Sequence, residues 1–137
     1  MRILGIDYGG VRTGFAISDE LGITAQGLET IKSNGSDRII LKKIDEFLEL
    51  YSIDTIVVGM PYHMNGDISE RAELTKHFLH KLKCKYNTIK IEYIDERLTT
   101  VSANRTMHFL GINKNKKKNL VDTISAVYIL EIYMNRK

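Results

Sequence analysis

Arg2-Ile3-Leu4-Gly5-Ile6-Asp7-Tyr8-Gly9-Gly10, with Thr13-Gly14-Phe15-Ala16-Ile17-Ser18 close behind it, is the stretch that decides the fold. Each segment is a short apolar run, and the first ends in a glycine-rich turn, so both read as strands. A connection this short joins antiparallel strands and leaves no room for a crossover. Ile23 to Ile31 reads as a weaker third strand, broken by Gly27, and Asn34-Gly35 makes a turn. Ser36 or Asp37 then starts a helix, because Ile40, Ile44, Phe47, Leu48 and Tyr51 recur on one face of a 3.6-residue period. Asp54-Thr55-Ile56-Val57-Val58-Gly59 is apolar through its centre, as in a strand covered on both faces of a parallel sheet. Pro61 ends it.

Asp67-Ile68-Ser69-Glu70 has the spacing of a capping box, and the helix it opens carries Leu74, Phe78 and Leu82 on one side. Ile89 to Asp95 alternates as a fifth strand. Thr99 to Leu110 reads as a helix ended by Gly111. Lys114 to Lys118 reads as a basic loop, after which Asn119 caps a last helix with Leu120, Ile124, Val127 and Tyr128 on its apolar side. The order β-β-β-α-β-α-β-α-α predicts an α/β fold. Three antiparallel strands lead into two crossover units, giving a mixed five-stranded sheet with helices on both faces. No repeat or linker interrupts it, so residues 1–137 are expected to form one domain.

Composition narrows the function. With 43% apolar and 27% charged residues the chain has the balance of a soluble protein. No apolar run reaches the length of a membrane span, and Asp7 breaks the N-terminal apolar stretch too early for a secretory signal. Cys84 is alone, which excludes an internal disulfide and a cysteine-rich zinc site and suits a reducing cytoplasm. The net charge of +3 comes from 20 basic against 17 acidic residues, and Lys114, Lys116, Lys117 and Lys118 carry it; without them the rest is close to neutral. One basic segment on a near-neutral body points to a local polyanion contact, although a solvated loop explains it as well.

Three places offer carboxylates. Asp7 ends the first strand beside Tyr8-Gly9-Gly10, and ligands of α/β sheets gather at strand C-termini, where glycines let a phosphate backbone approach. A turn aspartate is the equal alternative. Asp95-Glu96-Arg97 ends the fifth strand near the same edge. Adjacent acids on a strand face opposite ways, so one of them is expected at the site: Glu96 first, Asp95 as substitute. Asp122 falls in the first turn of the expected last helix, where the helix dipole alone would favour an acid. Ser125 and Ala126 follow it at i+3 and i+4, small enough to let that face lie close to the sheet. Three acids gathered at one edge repel each other unless a hard divalent cation, Mg2+ or Mn2+, joins them. Paired ions of this kind hydrolyse phosphodiesters, and the lysine run before Asp122 would hold the remaining polyanion.

Other residues carry less. His77 and His80 stand at i, i+3 with no third ligand in reach, and read as exposed helix histidines; His63 reads as a loop residue. Tyr8 and Tyr62 would serve either to stack on bases or to pack the core.

At this point a family enters. Ile6-Asp7-Tyr8-Gly9-Gly10-Val11-Arg12-Thr13-Gly14-Phe15-Ala16 resembles the opening motif of the YqgF/RuvX family. Val57-Val58-Gly59-Met60-Pro61 with Asn65-Gly66 resembles its central motif, Asp95-Glu96-Arg97-Leu98-Thr99-Thr100 with Ala103 its third, and Lys116-Lys117-Lys118 with Val121-Asp122 its last. The four blocks keep the family's order and span nearly the whole chain. The resemblance implies a ribonuclease H-like fold related to the Holliday-junction resolvases. It also implies a Mg2+- or Mn2+-dependent endonuclease in 5′-end maturation of pre-16S ribosomal RNA, with a Holliday junction resolvase as the alternative. A non-cutting nucleic-acid-binding assembly factor is the reading of another class. Carried over by motif, Asp7, Glu96 and Asp122 become catalytic metal-binding acids, and Arg12, Arg97, Thr99, Lys114, Lys116, Lys117 and Lys118 nucleic-acid contacts. The implied partners are structured RNA or branched DNA and a pre-ribosomal particle, met in the cytoplasm by a monomer or weak homodimer. Ser125 departs from a small alanine and Gly10 from a hydroxyl-bearing or other small residue; neither removes an acid. A phosphate loop of the actin-like ATPase kind is the remaining resemblance of Asp7-Tyr8-Gly9-Gly10, but 137 residues are too few for the two domains it needs.

Overall fold

A computed structural model describes residues 1–61, 70–95 and 114–135, with the backbone alone over 114–121. Five strands form one sheet: β1 (Arg2–Asp7), β2 (Arg12–Ser18), β3 (Ala25–Lys32), β4 (Ile53–Met60) and β5 (Lys90–Asp95). Their spatial order is β3-β2-β1-β4-β5. β1 is antiparallel to β2 and β2 to β3, whereas β1, β4 and β5 run parallel. This is the mixed sheet expected from the sequence. β1, β4 and β5 therefore end at the same edge, where β2 begins and β3 finishes.

The three described helices are α1 (Asp37–Leu50), α2 (Glu70–Lys85) and α3 (Lys114–Met134). Strand alternation divides them between the faces. Leu4, Ile6, Phe15, Ile17, Ile56, Val58 and Met60 pack with Ile40, Ile44 and Phe47 of α1 and Phe78, Leu79 and Leu82 of α2. On the other face Ala16, Val57 and Ile94 meet Ala126, Ile129 and Leu130 of α3.

α1 buries the face that its periodicity predicts. Three other expectations are corrected. In α2, Leu74 is 45% exposed, and the buried side is Ala72, Thr75, Phe78, Leu79 and Leu82. The small residues at the start of that face let α2 approach the sheet, and Thr75 satisfies its hydroxyl by donating to the Arg71 carbonyl at 2.8 Å. In α3 the buried seam is Ser125, Ala126, Ile129 and Leu130, while Ile124, Val127 and Tyr128 are half-buried flanks. Close approach near the start of the seam selects the small Ser125 and Ala126, so a search for large apolar residues misses where the seam begins. The helix also starts earlier than expected. Lys114 to Lys118 are its opening residues in place of a loop, since lysine is a good helix former and the apolar seam downstream supplies the packing. The expected cap at Asp67, the Tyr62 and His63 positions and the helix from Thr99 to Leu110 lie outside the described residues.

Candidate active site

The sheet edge where β1 ends is built around Gly14. In the ladder Asp7 stands directly opposite Gly14. An ideal Cβ on Gly14 would overlap the Asp122 carbonyl oxygen and lie 3.0 Å from the Thr123 nitrogen. Gly14 is thus a gap that lets the α3 backbone rest on β2. Gly5 and Gly27 continue the same track: a Cβ on either would fall 2.6 Å from a side-chain atom of α3, on Leu130 and Thr123 respectively. The hydroxyls of Thr30 and Thr123 then tie β3 to the helix. Ser125 and Ala126 are both fully buried, as their small size predicts.

Two of the three candidate acids are consequently placed about Gly14, one on the strand beside it and one on the helix above it. Asp7 is 9% exposed and alternates with Gly5 onto the α3 side. Asp122 is half-buried on α3, its backbone seated over the residue that pairs with Asp7. Its position also departs from expectation. Asp122 lies eight residues, about 12 Å, inside α3, beyond the reach of the N-terminal dipole. The dipole therefore does not account for an acid there.

The fifth strand separates Asp95 from this face. Ile94 packs with Val57 and Ile129 beneath α3, whereas Ile91 joins the α1–α2 core, so alternation turns Asp95 away from Asp7. Glu96, Arg97 and Thr99 lie outside the described residues, and no group of three metal-ligating side chains occurs among the described ones. His77 and His80 are exposed on α2.

Basic groups flank the acids. Arg12 is half-buried, alternates with Gly14 onto the α3 face and pairs with Lys32 at the end of β3. Sequence reasoning passed over Lys32 because nothing local distinguishes it. The backbone bearing Lys114, Lys116, Lys117 and Lys118 is helical and leads straight into Asp122.

Tyr8 resolves to packing. Its ring stacks on Phe78 with centroids 4.2 Å apart and planes 5° from parallel. Its hydroxyl donates to Asp37, which also accepts from Lys81 at 2.8 Å. Burial, and after it the hydrogen bond to the Asp37 carboxylate, push the Tyr8 phenol well above its ordinary value. Arg71 covers the ring, with its guanidinium 5.0 Å from the centroid, and donates through Nη2 to the Tyr8 carbonyl at 3.1 Å. This residue was also missed from sequence. The one available signal is a cation in the first turn of a helix, where the dipole disfavours it.

A hollow of about 610 Å³ lies elsewhere, lined by Ile3, Asp54, Thr55, Lys90, Glu92 and Tyr133 among others, at the end where β1 and β5 begin.

A family model described as RuvX, Holliday junction resolvase, matches residues 1–136. A protein of Acetivibrio thermocellus named "Putative pre-16S rRNA nuclease" is 50% identical over 137 residues, covering 100% of this chain and 97% of that one. One of the same name from Ruminiclostridium cellulolyticum is 52% identical, covering 99% and 95%. Among solved structures, Thermus thermophilus RuvC in complex with a Holliday junction substrate superposes with a TM-score of 0.59 at 15% identity, covering 99% and 97%. That likeness establishes the ribonuclease H-like fold shared with the resolvases.

Proposed function

Because the chain belongs to the RuvX family, we propose that it is a metal-dependent endonuclease that hydrolyses phosphodiester bonds in 5′-end maturation of pre-16S ribosomal RNA. The observation that carries this reading is the convergence of Asp7 and Asp122 about Gly14 at the edge where the parallel strands end.

The donors fit the group that such chemistry uses. Two carboxylates on one face, one of them buried, offer hard oxygens of the kind Mg2+ and Mn2+ prefer. Glu96 completes the set in this reading, supported by the alternation that turns Asp95 to the other face. A divalent ion held there supplies positive charge to the reacting phosphate and an activated water. The chain's own part is to hold the polymer. Arg12, Arg97, Thr99 and the lysines at 114, 116, 117 and 118 contact its phosphates, which fix position without reading sequence. No described helix is long and apolar enough to cross a membrane. The protein is proposed to act as one domain over residues 1–137, in the cytoplasm, as a monomer or weak homodimer meeting its RNA within a pre-ribosomal particle.

The test is cleavage of end-labelled RNA carrying the small-subunit 5′ junction, beside a four-way DNA junction, with Mg2+, with EDTA and with Asp7→Asn protein. RNA cleavage that needs both metal and Asp7 is expected. Cutting of the DNA junction alone would replace the RNA substrate by the resolvase one. Cutting of neither substrate, naked or within a pre-ribosomal particle, would leave a binding factor that does not cut.

A further inference from the structure

We propose that Arg71 is a phosphate-binding residue of this edge, holding a backbone phosphate of the nucleic acid over Gly10. The inference rests on the nuclease reading of the same site and adds a contact that the sequence motifs do not contain.

Arg71 is half-buried in the first turn of α2, yet it makes no ion pair among the described residues. A guanidinium taken partly out of water normally finds a carboxylate or phosphate. One nitrogen, Nη2, is used on the Tyr8 carbonyl, and the ring of Tyr8 supports the plane. Among the described residues those two contacts fix the side chain in place and leave Nη1 over. Nη1 stands 3.5 Å from where a Cβ on Gly10 would be, and among the described residues no other atom outside the Gly10 turn itself lies within 4 Å of that point. Gly10 is itself exposed. The space over Gly10 is thus open on the solvent side and bounded by a guanidinium nitrogen on the other. With no side chain on Gly10, an anionic oxygen resting in van der Waals contact on its Cα, beyond the place of the missing Cβ, would come within hydrogen-bond reach of Nη1.

Chemistry narrows the anion. A guanidinium presents a planar fork of donors that matches phosphate oxygens, and an anion near the start of α2 is favoured by the dipole that disfavours Arg71 alone. Gly10 lies three residues after Asp7 on the turn that leaves β1, and Arg71 reaches it from the α2 face, so a polymer crossing this edge from the α3 face would pass the acids first and Gly10 next. A polymer phosphate satisfies both positions at once.

The alternative is that Arg71 only braces the Tyr8 carbonyl, and two variants separate the roles. Arg71→Gln removes the cation. Gly10→Asp keeps the brace, fits its Cβ at an ordinary contact distance and puts a carboxylate where the phosphate would sit. Binding of fluorescent RNA carrying the small-subunit 5′ junction is measured against salt, in EDTA so that nothing is cut, alongside melting temperatures. The slope of log affinity against log salt is expected to fall by about 0.7 to 0.9 in both variants, the value of one phosphate. Arg71→Lys is expected to retain the slope, and Gly10→Asp to keep the wild-type melting temperature. An unchanged slope in either Arg71→Gln or Gly10→Asp overturns the phosphate role. Wild-type protein that binds neither RNA nor branched DNA would instead bring down the nuclease reading, and this proposal with it.

Discussion

Gly14 lies under the Asp122 carbonyl so closely that no side chain fits between strand and helix. Since Gly14 is also the ladder partner of Asp7, one missing Cβ sets the relation of two candidate acids. Gly14→Ala must therefore lift α3 or bend β2. Overpacking of this kind costs about 1–3 kcal/mol. The effect on chemistry is larger, because a shift of about 1 Å in a catalytic group costs roughly 100-fold. Gly27→Ala is the control. It meets the Thr123 methyl group, which can turn aside at the cost of the Thr30–Thr123 hydrogen bond, where a backbone carbonyl cannot turn at all. Urea melts and cleavage rates on both variants check the ranking: Gly14→Ala loses far more activity than Gly27→Ala.

The two adjacent acids at the end of β5 give a second contrast. Ile94 lies under α3 with Val57 and Ile129, which leaves Asp95 on the α1–α2 side. Asp95→Asn is expected to keep cleavage within a few-fold of wild type. Glu96→Gln is expected to fall to the level of Asp7→Asn. Single-turnover rates on the same RNA would measure both. The reverse ranking would make Asp95 the third acid.

The sheet was readable from sequence because each strand carries its own signal. β1 and β2 are apolar runs around a glycine turn, β4 is apolar on both faces, and β5 alternates. What was not readable depends on distance in the chain. Gly14 looks like a weak point of a strand until α3, over 100 residues later, is laid on it. Arg71 is 63 residues from the carbonyl it holds. The start of α3 was misplaced for another reason. Lys114 to Lys118 carry no apolar periodicity, so their helical backbone follows from packing further along the helix. Asp7 was legible as a candidate from its place at the end of β1 and Asp122 from the small residues that follow it, although the helix start expected beside Asp122 lies eight residues earlier. Their convergence needed the tertiary fold.

Alkali should unfold the protein through two buried phenols. Tyr8 and Tyr86 are both raised, by burial first and then by hydrogen bonds to Asp37 and Asp45. In the unfolded chain each phenol ionises near pH 10. The unfolded state therefore loses protons before the folded one. The stability that this linkage supplies is whole below about pH 10 and declines as the pH rises towards the folded values. Urea midpoints from pH 8 to about 11.5 would follow it. Tyr8→Phe and Tyr86→Phe are each expected to be less stable at neutral pH and to decline less steeply above pH 10. A decline as steep as wild type in both would assign the loss to other groups.

The helical backbone of the lysine run makes the last prediction, because a loop and a helix distribute four lysines differently. In a loop each could turn towards the polymer, and their contributions would be alike. On α3 each residue advances about 100° around the axis. Lys118 stands one turn before Asp122 and about 40° from it, and Lys114 about 80° away on the same side. Lys116 and Lys117 are about 120° and 140° away, on the flanks and back of the helix as seen from Asp122. Binding against salt should resolve this. Lys118→Ala is expected to lower the salt slope by about 0.7 to 0.9, as one lost phosphate contact would. Lys116→Ala should leave it nearly unchanged, with Lys114→Ala nearer the first. Equal losses at all four positions would mean that the polymer wraps the helix, and that the direction set by Asp122 does not choose which lysines it meets.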